Sequence, residues 1–575
     1  MKASVSAIVL LIALFSAAGS AGEKGSSGSQ GILASPEKAF LDVNNISTVL
    51  WNNGFADIDT SGLKGGCIFP KGSKKVIMYQ SGLLWGTRVS GDIHIGGSTY
   101  WTGLQPGKIL APSVAEDPAL PKNRIYRVRP DYKTADLSSE SVNEGRSPEQ
   151  IKAQYELDWN QWPASDGAPF QDINNNGVYD PSVDIPGVEG ADQSIWFVCN
   201  DLDSSRTKDF YGTPPIGIEM QVAAWAFAQP SPMDNLFFKS YTMINKSTVT
   251  FDSMYVAPWL DPDIGFSIDD YAGCDTLLSL GYAYNSTPVD SLYKPLPPPA
   301  AGVCLLQGPV VPSPGNTAAS RGRKVSDAKN LPMTAFYWFG RGGPDHADPT
   351  HGGGSTIGLT NAERWYNIFR GLVGVSGDPY LDPITNKPTT FMVSGDPVKK
   401  TGYLDGILLS AGDRRMVMPS GPFSMAPGDT QEVVVAEIAA GAFSPVTYLD
   451  AVDLLKYYAE IVRTQRLVGV PDLPVPTVFE LAQNYPNPFN PTTTIRYFLP
   501  GMSRVSLKIY NILGQEVRTL VDESQMAGEK TSLWNGTNNA GHAVASGVYF
   551  YRLSVQGTGG GDHSVTQVRK MILMR

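Results

Sequence analysis

Short apolar or alternating runs, each closed by Gly, Pro, Asn or Asp, recur from about Phe40 onward. That rhythm predicts strands joined by turns. Val76-Ile77-Met78-Tyr79 is one such run. Between Phe251 and Trp259, positions 251, 253, 255, 257 and 259 share a face, and the Phe, Tyr and Trp of this stretch suit a packed β-surface. Gln431 to Ile438 (QEVVVAEI) follows the turn Pro427-Gly428-Asp429, as a buried strand would. Helical patterns are few. Ser147-Pro148-Glu149 opens one that runs to about Trp159, with Ser as the cap and Pro at the first position. Thr360 caps a second through Phe369. A third begins at Ser444-Pro445 and ends near Gly469, with Leu449, Val452, Leu455, Ala459 and Val462 forming a core-facing stripe.

Composition agrees with that pattern. The 575 residues include 59 Gly, 44 Pro, 11 Trp and 25 Tyr, and only 17% are charged, which describes a turn-rich β-protein. The expected fold is mainly β: a large, sandwich-like central region with few helices, then a C-terminal Ig-like β-sandwich. Forty-five basic against 55 acidic residues give a net charge of −10, so no basic surplus exists to neutralise phosphates and nucleic acid is excluded as a partner.

Residues 1–21 have the parts of a secretory signal: Lys2, the apolar run Ala7 to Phe15, and the small residues Ala17 to Ala21. The run is shorter than the ~20 residues a membrane crossing needs. No Cys follows it to carry a lipid, and no later segment is long and apolar enough to span. The protein is therefore expected outside the cell or on its outer surface. Residues 22–39 read as a Gly/Ser-rich leader, 40–466 as the β-rich region, 467–478 as a Pro-rich linker and 479–575 as a compact tail. Cys67, Cys199, Cys274 and Cys304 form no CxxC. In an exported chain they permit disulfides, with buried free thiols as the alternative.

In the tail, Ile495, Tyr497 and Leu499 share a strand face, as do Val505, Leu507 and Ile509, and Gly547 to Val555 forms a late strand. Turns fall at Asn511 to Gly514, Asn535-Gly536 and Asn538 to Gly541. Four motifs stand in order. The first is Asn484-Tyr485-Pro486-Asn487-Pro488-Phe489-Asn490-Pro491, and the second is Ile509 to Val517 (IYNILGQEV) with Gly514. Trp534-Asn535-Gly536-Thr537 and Ser546-Gly547-Val548-Tyr549 follow. Together they resemble the type A C-terminal sorting domain of type IX secretion substrates, and the tail is also similar to the Ig-like domain of the flagellar hook-capping protein FlgD. The resemblance implies export across the outer membrane with the type IX translocon reading the tail.

The strongest local site in the central region is Asp172-Ile173-Asn174-Asn175-Asn176-Gly177-Val178-Tyr179-Asp180, with Asp184 beyond. Side-chain oxygens at loop positions one, three, five and nine, with Gly at six, suit Ca²⁺, which takes six to eight oxygens. Asp172, Asn174, Asn176, Val178, Asp180 and Asp184 are the expected ligands. Position twelve is Val183 and no helix pair flanks the loop, so it resembles EF-hand and dockerin loops without being one. An unliganded Asn/Gly turn is the alternative.

Asp192, Asn200, Asp201 and Asp203 could extend that site or form another. Asp261, Asp263, Asp269, Asp270 and Asp275 could be a second calcium site, a catalytic carboxylate pair or a solvated loop. Asp345, His346, Asp348 and His351 precede the Gly run 352–354 and could hold a metal, but their spacing matches no standard zinc motif, and a solvated loop is the alternative. Trp85, Trp101, Trp159, Trp162, Trp196, Trp225, Trp259 and Trp338 are candidates for stacking on sugars, or for the core. No P-loop, HExxH or GxSxG motif occurs. The expected function is a calcium-stabilised surface protein for adhesion, surface structure or glycan binding. The alternative is a polysaccharide hydrolase using carboxylates near Asp261 and Asp270.

Overall fold

The computed structural model describes residues 36–59, 64–356, 358–443, 446–464, 480–499, 503–525, 528–557 and 564–574. The signal segment, nearly all of the leader and the linker lie outside those residues.

Two antiparallel sheets face each other in the central region. The larger runs Tyr126–Val128, Gln193–Asn200, Ile218–Ala226, Leu236–Asn245, Thr430–Ala440, Ala300–Gln307, Leu280–Asn285 and Asp270–Asp275, with Gln105–Pro106 paired to Gln193–Asn200. The smaller runs Tyr337–Phe339, Arg415–Val417, Phe251–Asp261, Gln80–Val89 and Asp92–Gly97, with Ser420–Met425 also on Phe251–Asp261. Alternation assigns the faces. Phe237, Tyr241, Val433 and Val435 of the large sheet pack with Leu84, Trp85, Val256 and Trp259 of the small one in a single core. The even-numbered neighbours Leu236 and Phe238, with Val434, Ala436 and Ile438, turn to the opposite face. There Val452, Leu455, Ala459 and Val462 of helix Tyr448–Thr464 cover them. Within QEVVVAEI, Val433 to Ala436 are apolar without a break because both faces of the strand are buried.

The helix caps fall where the sequence placed them. Ser147 and Gln150 form a reciprocal capping box on Pro148–Asn160, as Thr360 and Glu363 do on Asn361–Phe369. In the third helix Thr447 and Asp450 exchange the capping bonds, Asp450 N donating to Thr447 Oγ1 and Thr447 N to Asp450 Oδ2. Its expected start at Ser444-Pro445 and end near Gly469 lie outside the described residues.

Two expectations change. The shared face from 251 to 259 is broken at Ser253, a left-handed residue (φ 48°) where the strand bulges. Beyond it Met254 and Val256 are buried, while Ser253 and Tyr255 are only half-buried. The permitted disulfides do not form. Cys67, Cys199, Cys274 and Cys304 are all free and buried, each on its own strand.

The tail is an Ig-like sandwich. Glu480–Leu481, Thr493–Leu499 and Gly528–Trp534 form one sheet. Glu516–Gln525, Ser503–Tyr510, Gly547–Gly557 and Ser564–Leu573 form the other. The faces read from the sequence, Ile495/Tyr497/Leu499 and Val505/Leu507/Ile509, meet in its core.

Candidate functional site

One strand pairing assembles the most unusual chemistry of the central region. Phe251–Asp261 and Arg415–Val417 run antiparallel with Leu260 opposite Met416. Continuing that register carries Asp261 towards Arg415 and Asp263 towards Asp413. One carboxylate oxygen from each of Asp261, Asp263 and Asp413 lies within 4.8 Å of the others. Arg415 is shared, its Nε 2.8 Å from Asp348 Oδ2 and its Nη1 2.8 Å from Asp413 Oδ1. Burial pushes the Asp261 carboxyl well above the usual range, and the charges of Asp263 and Asp413 add to it. Asp263 is pushed up to about 7 by burial and then by Asp413.

Tyr100 links this cluster to a cavity. Its hydroxyl donates to Asp261 Oδ2 at 2.6 Å, and its ring packs edge-on to Trp259 (4.8 Å) and Trp101 (6.0 Å). The cavity holds about 180 Å³. Tyr100, Trp101, Tyr211, Trp259 and Trp365 line its aromatic part, and Asp348, Thr350 and His351 its polar part. Trp101 is 36% exposed and stacks on His351 at 4.0 Å and 19°, making a flat, accessible face. Asp348 spends Oδ2 on Arg415, while its Oδ1, shielded from solvent, has no hydrogen-bond partner among the described residues. Thr99 Oγ1 and Tyr211 OH are 3.0 Å apart in the wall. Flat aromatic faces beside an acceptor and hydroxyls suit a polyhydroxylated ring.

The sequence named parts of this site without joining them. Of the eight tryptophans named as stacking candidates, Trp101 and Trp259 line the cavity. Trp85, Trp162, Trp196, Trp225 and Trp338 are core residues, and half-buried Trp159 donates to Pro181 O. The two histidines part company. His346 is buried with its ring 4.6 Å from that of Trp338, and His351 serves the cavity. The proposed acid and base, Asp261 and Asp270, are both buried and neither lines the cavity. Asp348 was named only beside His346 and His351, and Tyr100, Tyr211, Trp365, Asp413 and Arg415 were missed, since each enters through pairing across long stretches of chain.

In the Asn/Asp-rich loop the side-chain oxygens accept from the loop's own backbone. Asp172 Oδ1 and Oδ2 take Asn176 N (3.1 Å) and Gly177 N (2.6 Å), and Asn174 Oδ1 takes Asn176 N (3.1 Å). Asn176 Oδ1 takes Val178 N, Asp180 Oδ1 takes Ser182 N, and Asp184 accepts from Ile173 N and Asp180 N. Gly177 has φ 74°, the conformation expected of position six. The neighbouring candidates are occupied elsewhere. Asp203 caps helix Ser204–Tyr211, Asp201 accepts from Ile216, Gly217 and Ile218, and Asp192 accepts from Ala228. Asn200 Oδ1 accepts from Leu202 N.

In the tail, Phe489 is buried against Trp534 (5.5 Å), which meets Tyr549 at 5.2 Å. Asn484, also buried, donates to Pro486 O and Thr493 Oγ1, and Asn487 Oδ1 accepts from Ile572 N. Residues 491–561 match the family model of the FlgD Ig-like domain. The C-terminal sandwich is a FlgD-like Ig domain. No curated protein matches the chain by sequence. Among solved structures, a polysaccharide lyase overlaps at a TM-score of 0.18 and 7% identity, over 62% of this chain and 34% of its own. Dimeric latent PorU from Porphyromonas gingivalis gives 0.15 and 12%, over 66% and 31%. PorZ, a surface component of the type IX secretion system of the same organism, gives 0.14 and 13%, over 66% and 43%. The chain thus spans less than half the length of each, and overlap at that level supports neither a shared fold nor a shared activity. Among the described residues, no helix is long and apolar enough to cross a membrane.

Proposed function

We propose that this is an exported surface protein whose central sandwich binds the end or a single ring of a glycan, delivered by a type IX sorting tail built on the FlgD-like Ig domain. The observation that carries the binding reading is the aromatic cavity with Trp101 at its mouth. Its volume of about 180 Å³ is below the ~300 Å³ at which pockets for drug-sized ligands begin, which suits one sugar ring. The test is a panel of insoluble polysaccharides, measuring both depletion of the protein and soluble sugar released. Depletion without release, lost in Trp101→Ala, is the expected outcome. Release that continues with turnover would mean a hydrolase instead, and no depletion on any polymer would remove the glycan reading.

Within the tail, Phe489, Trp534, Tyr549 and Asn484 are committed to the core, so a translocon has to read what remains outside. Tyr485 is 79% exposed, and the turn residues Ile512 and Leu513 also face solvent. Deleting 479–575 is expected to strand the protein in the periplasm, and Tyr485→Ala to slow export while leaving the Ig domain folded. Normal surface display of the deletion variant would refute the sorting role.

The loop 172–184 is proposed as a structural calcium site, with Asp172, Asn174, Asn176, Asp180 and Asp184 as hard oxygen donors and Val178 contributing its carbonyl. Chelation should lower the melting temperature, and Asp172→Ala should abolish that difference. A melting curve indifferent to chelator would remove calcium from the account.

A further inference from the structure

We propose that Asp261, Asp263 and Asp413 form a divalent-cation site, separate from the loop at 172–184, at the joint between strands Phe251–Asp261 and Arg415–Val417. Two observations carry it. Oxygens of all three carboxylates lie within 4.8 Å of one another. Two ligands on opposite sides of a Ca²⁺ ion at about 2.4 Å are about 4.8 Å apart, so this spacing fits within one coordination sphere. Asp261 is only 5% exposed, and its Oδ1 has no hydrogen-bond partner among the described residues although its Oδ2 holds Tyr100. An orphaned carboxylate oxygen in a site removed from solvent is costly unless something satisfies it.

The charge balance points the same way. Facing the cluster are Asp348 and the single guanidinium of Arg415, whose ion pairs go to Asp348 and Asp413. Asp261 and Asp263 have no ion pair among the described residues. A bound divalent cation supplies the missing positive charge and leaves Arg415 to hold Asp348 in the cavity wall. The donors are all carboxylate oxygens, which select a hard cation over zinc or copper. The consequence is mechanical: the ion ties the end of one strand to the start of the other and, through Tyr100, stiffens the floor of the aromatic cavity.

The test uses the whole protein, stripped with chelator, in an Asp172→Ala background that removes the other candidate site. Terbium is titrated as the probe, with excitation through tyrosine. Tyr100, whose hydroxyl is bound to Asp261, is the expected sensitiser. The expected result is saturable emission at one equivalent, displaced by Ca²⁺. Its affinity should fall at least tenfold in Asp413→Asn and in Asp263→Asn. Asp413 is partly exposed, so its amide variant is expected to keep the fold, which circular dichroism verifies. No saturable emission in the Asp172→Ala protein, or emission unchanged in both folded amide variants, would overturn the proposal.

Discussion

Replacing Lys239 with Met tests the ionic contact that fixes the two sheets of the sandwich against each other. Lys239 is 2% exposed and lies in the interior, where Nζ contacts Glu437 Oε1, donates to Ser81 Oγ at 2.8 Å and lies 3.6 Å from Asp57 Oδ2. Thr48 and Ser81 donate hydroxyls to Asp57. Two carboxylates thus share one ammonium. Burial and the neighbouring Asp57 push Glu437 up to about 7, so a proton already resides there for part of the time at neutral pH. Without Lys239 the buried carboxyls of Asp57 and Glu437 have lost the cation they share. The hydroxyl donors on Asp57 offset part of that cost. The expected loss is therefore at the lower end of the ~3 to 5 kcal/mol typical when one member of a buried ion pair is removed. Urea denaturation of Lys239→Met at pH 7 reads this directly. Adding Asp57→Asn should recover at least half of the loss at pH 7. A loss below about 1 kcal/mol at pH 7 would refute the reasoning.

Three further outcomes follow from single residues. Trp534→Ala empties the centre of the tail core, where Trp534 is 1% exposed, and should cost about 3 to 5 kcal/mol in unfolding of the Ig domain, seen by near-UV circular dichroism. Gly97 has φ 114° and its added Cβ would lie 2.0 Å from Leu83 O, so Gly97→Ala should displace Asp92–Gly97 and abolish polysaccharide binding through the adjoining Thr99-Tyr100-Trp101. Asp201 is pushed up to about 6 by burial, against three backbone donors. The folded state therefore holds a proton that the unfolded chain releases from about pH 4 upward, so unfolding free energy falls as pH rises through about 6. Asp201→Asn should flatten that slope in a pH series of melting curves, and an unchanged slope would contradict the assignment.

What the sequence discloses here depends on the range of the interaction. Caps act over three residues, so Ser147 with Gln150 and Thr360 with Glu363 could be read directly, and a strand covered on both faces declares itself by the unbroken apolar run at 433–436. The FlgD-like tail was legible because its strand faces, turns and core aromatics lie within a hundred residues. The helix Ser204–Tyr211 escaped because its cap, Asp203, read equally well as a metal ligand. The bulge at Ser253 escaped because alternation says nothing about where a ladder skips. The candidate site is the extreme case. Asp261 and Asp413 are neighbours only because Leu260 pairs with Met416, and Tyr100, Tyr211, Asp348 and Trp365 reach one cavity from four separate segments. Reading the acidic run at 261–275 by proximity in sequence therefore grouped the wrong partners. Asp270 accepts from Ile264 N and leaves the cluster, whereas Asp413, about 150 residues on, completes it. A local motif can nominate a ligand. The register of a distant strand decides which other ligands it meets, and for this protein that register is also what places the carboxylates behind the aromatic cavity and outside it.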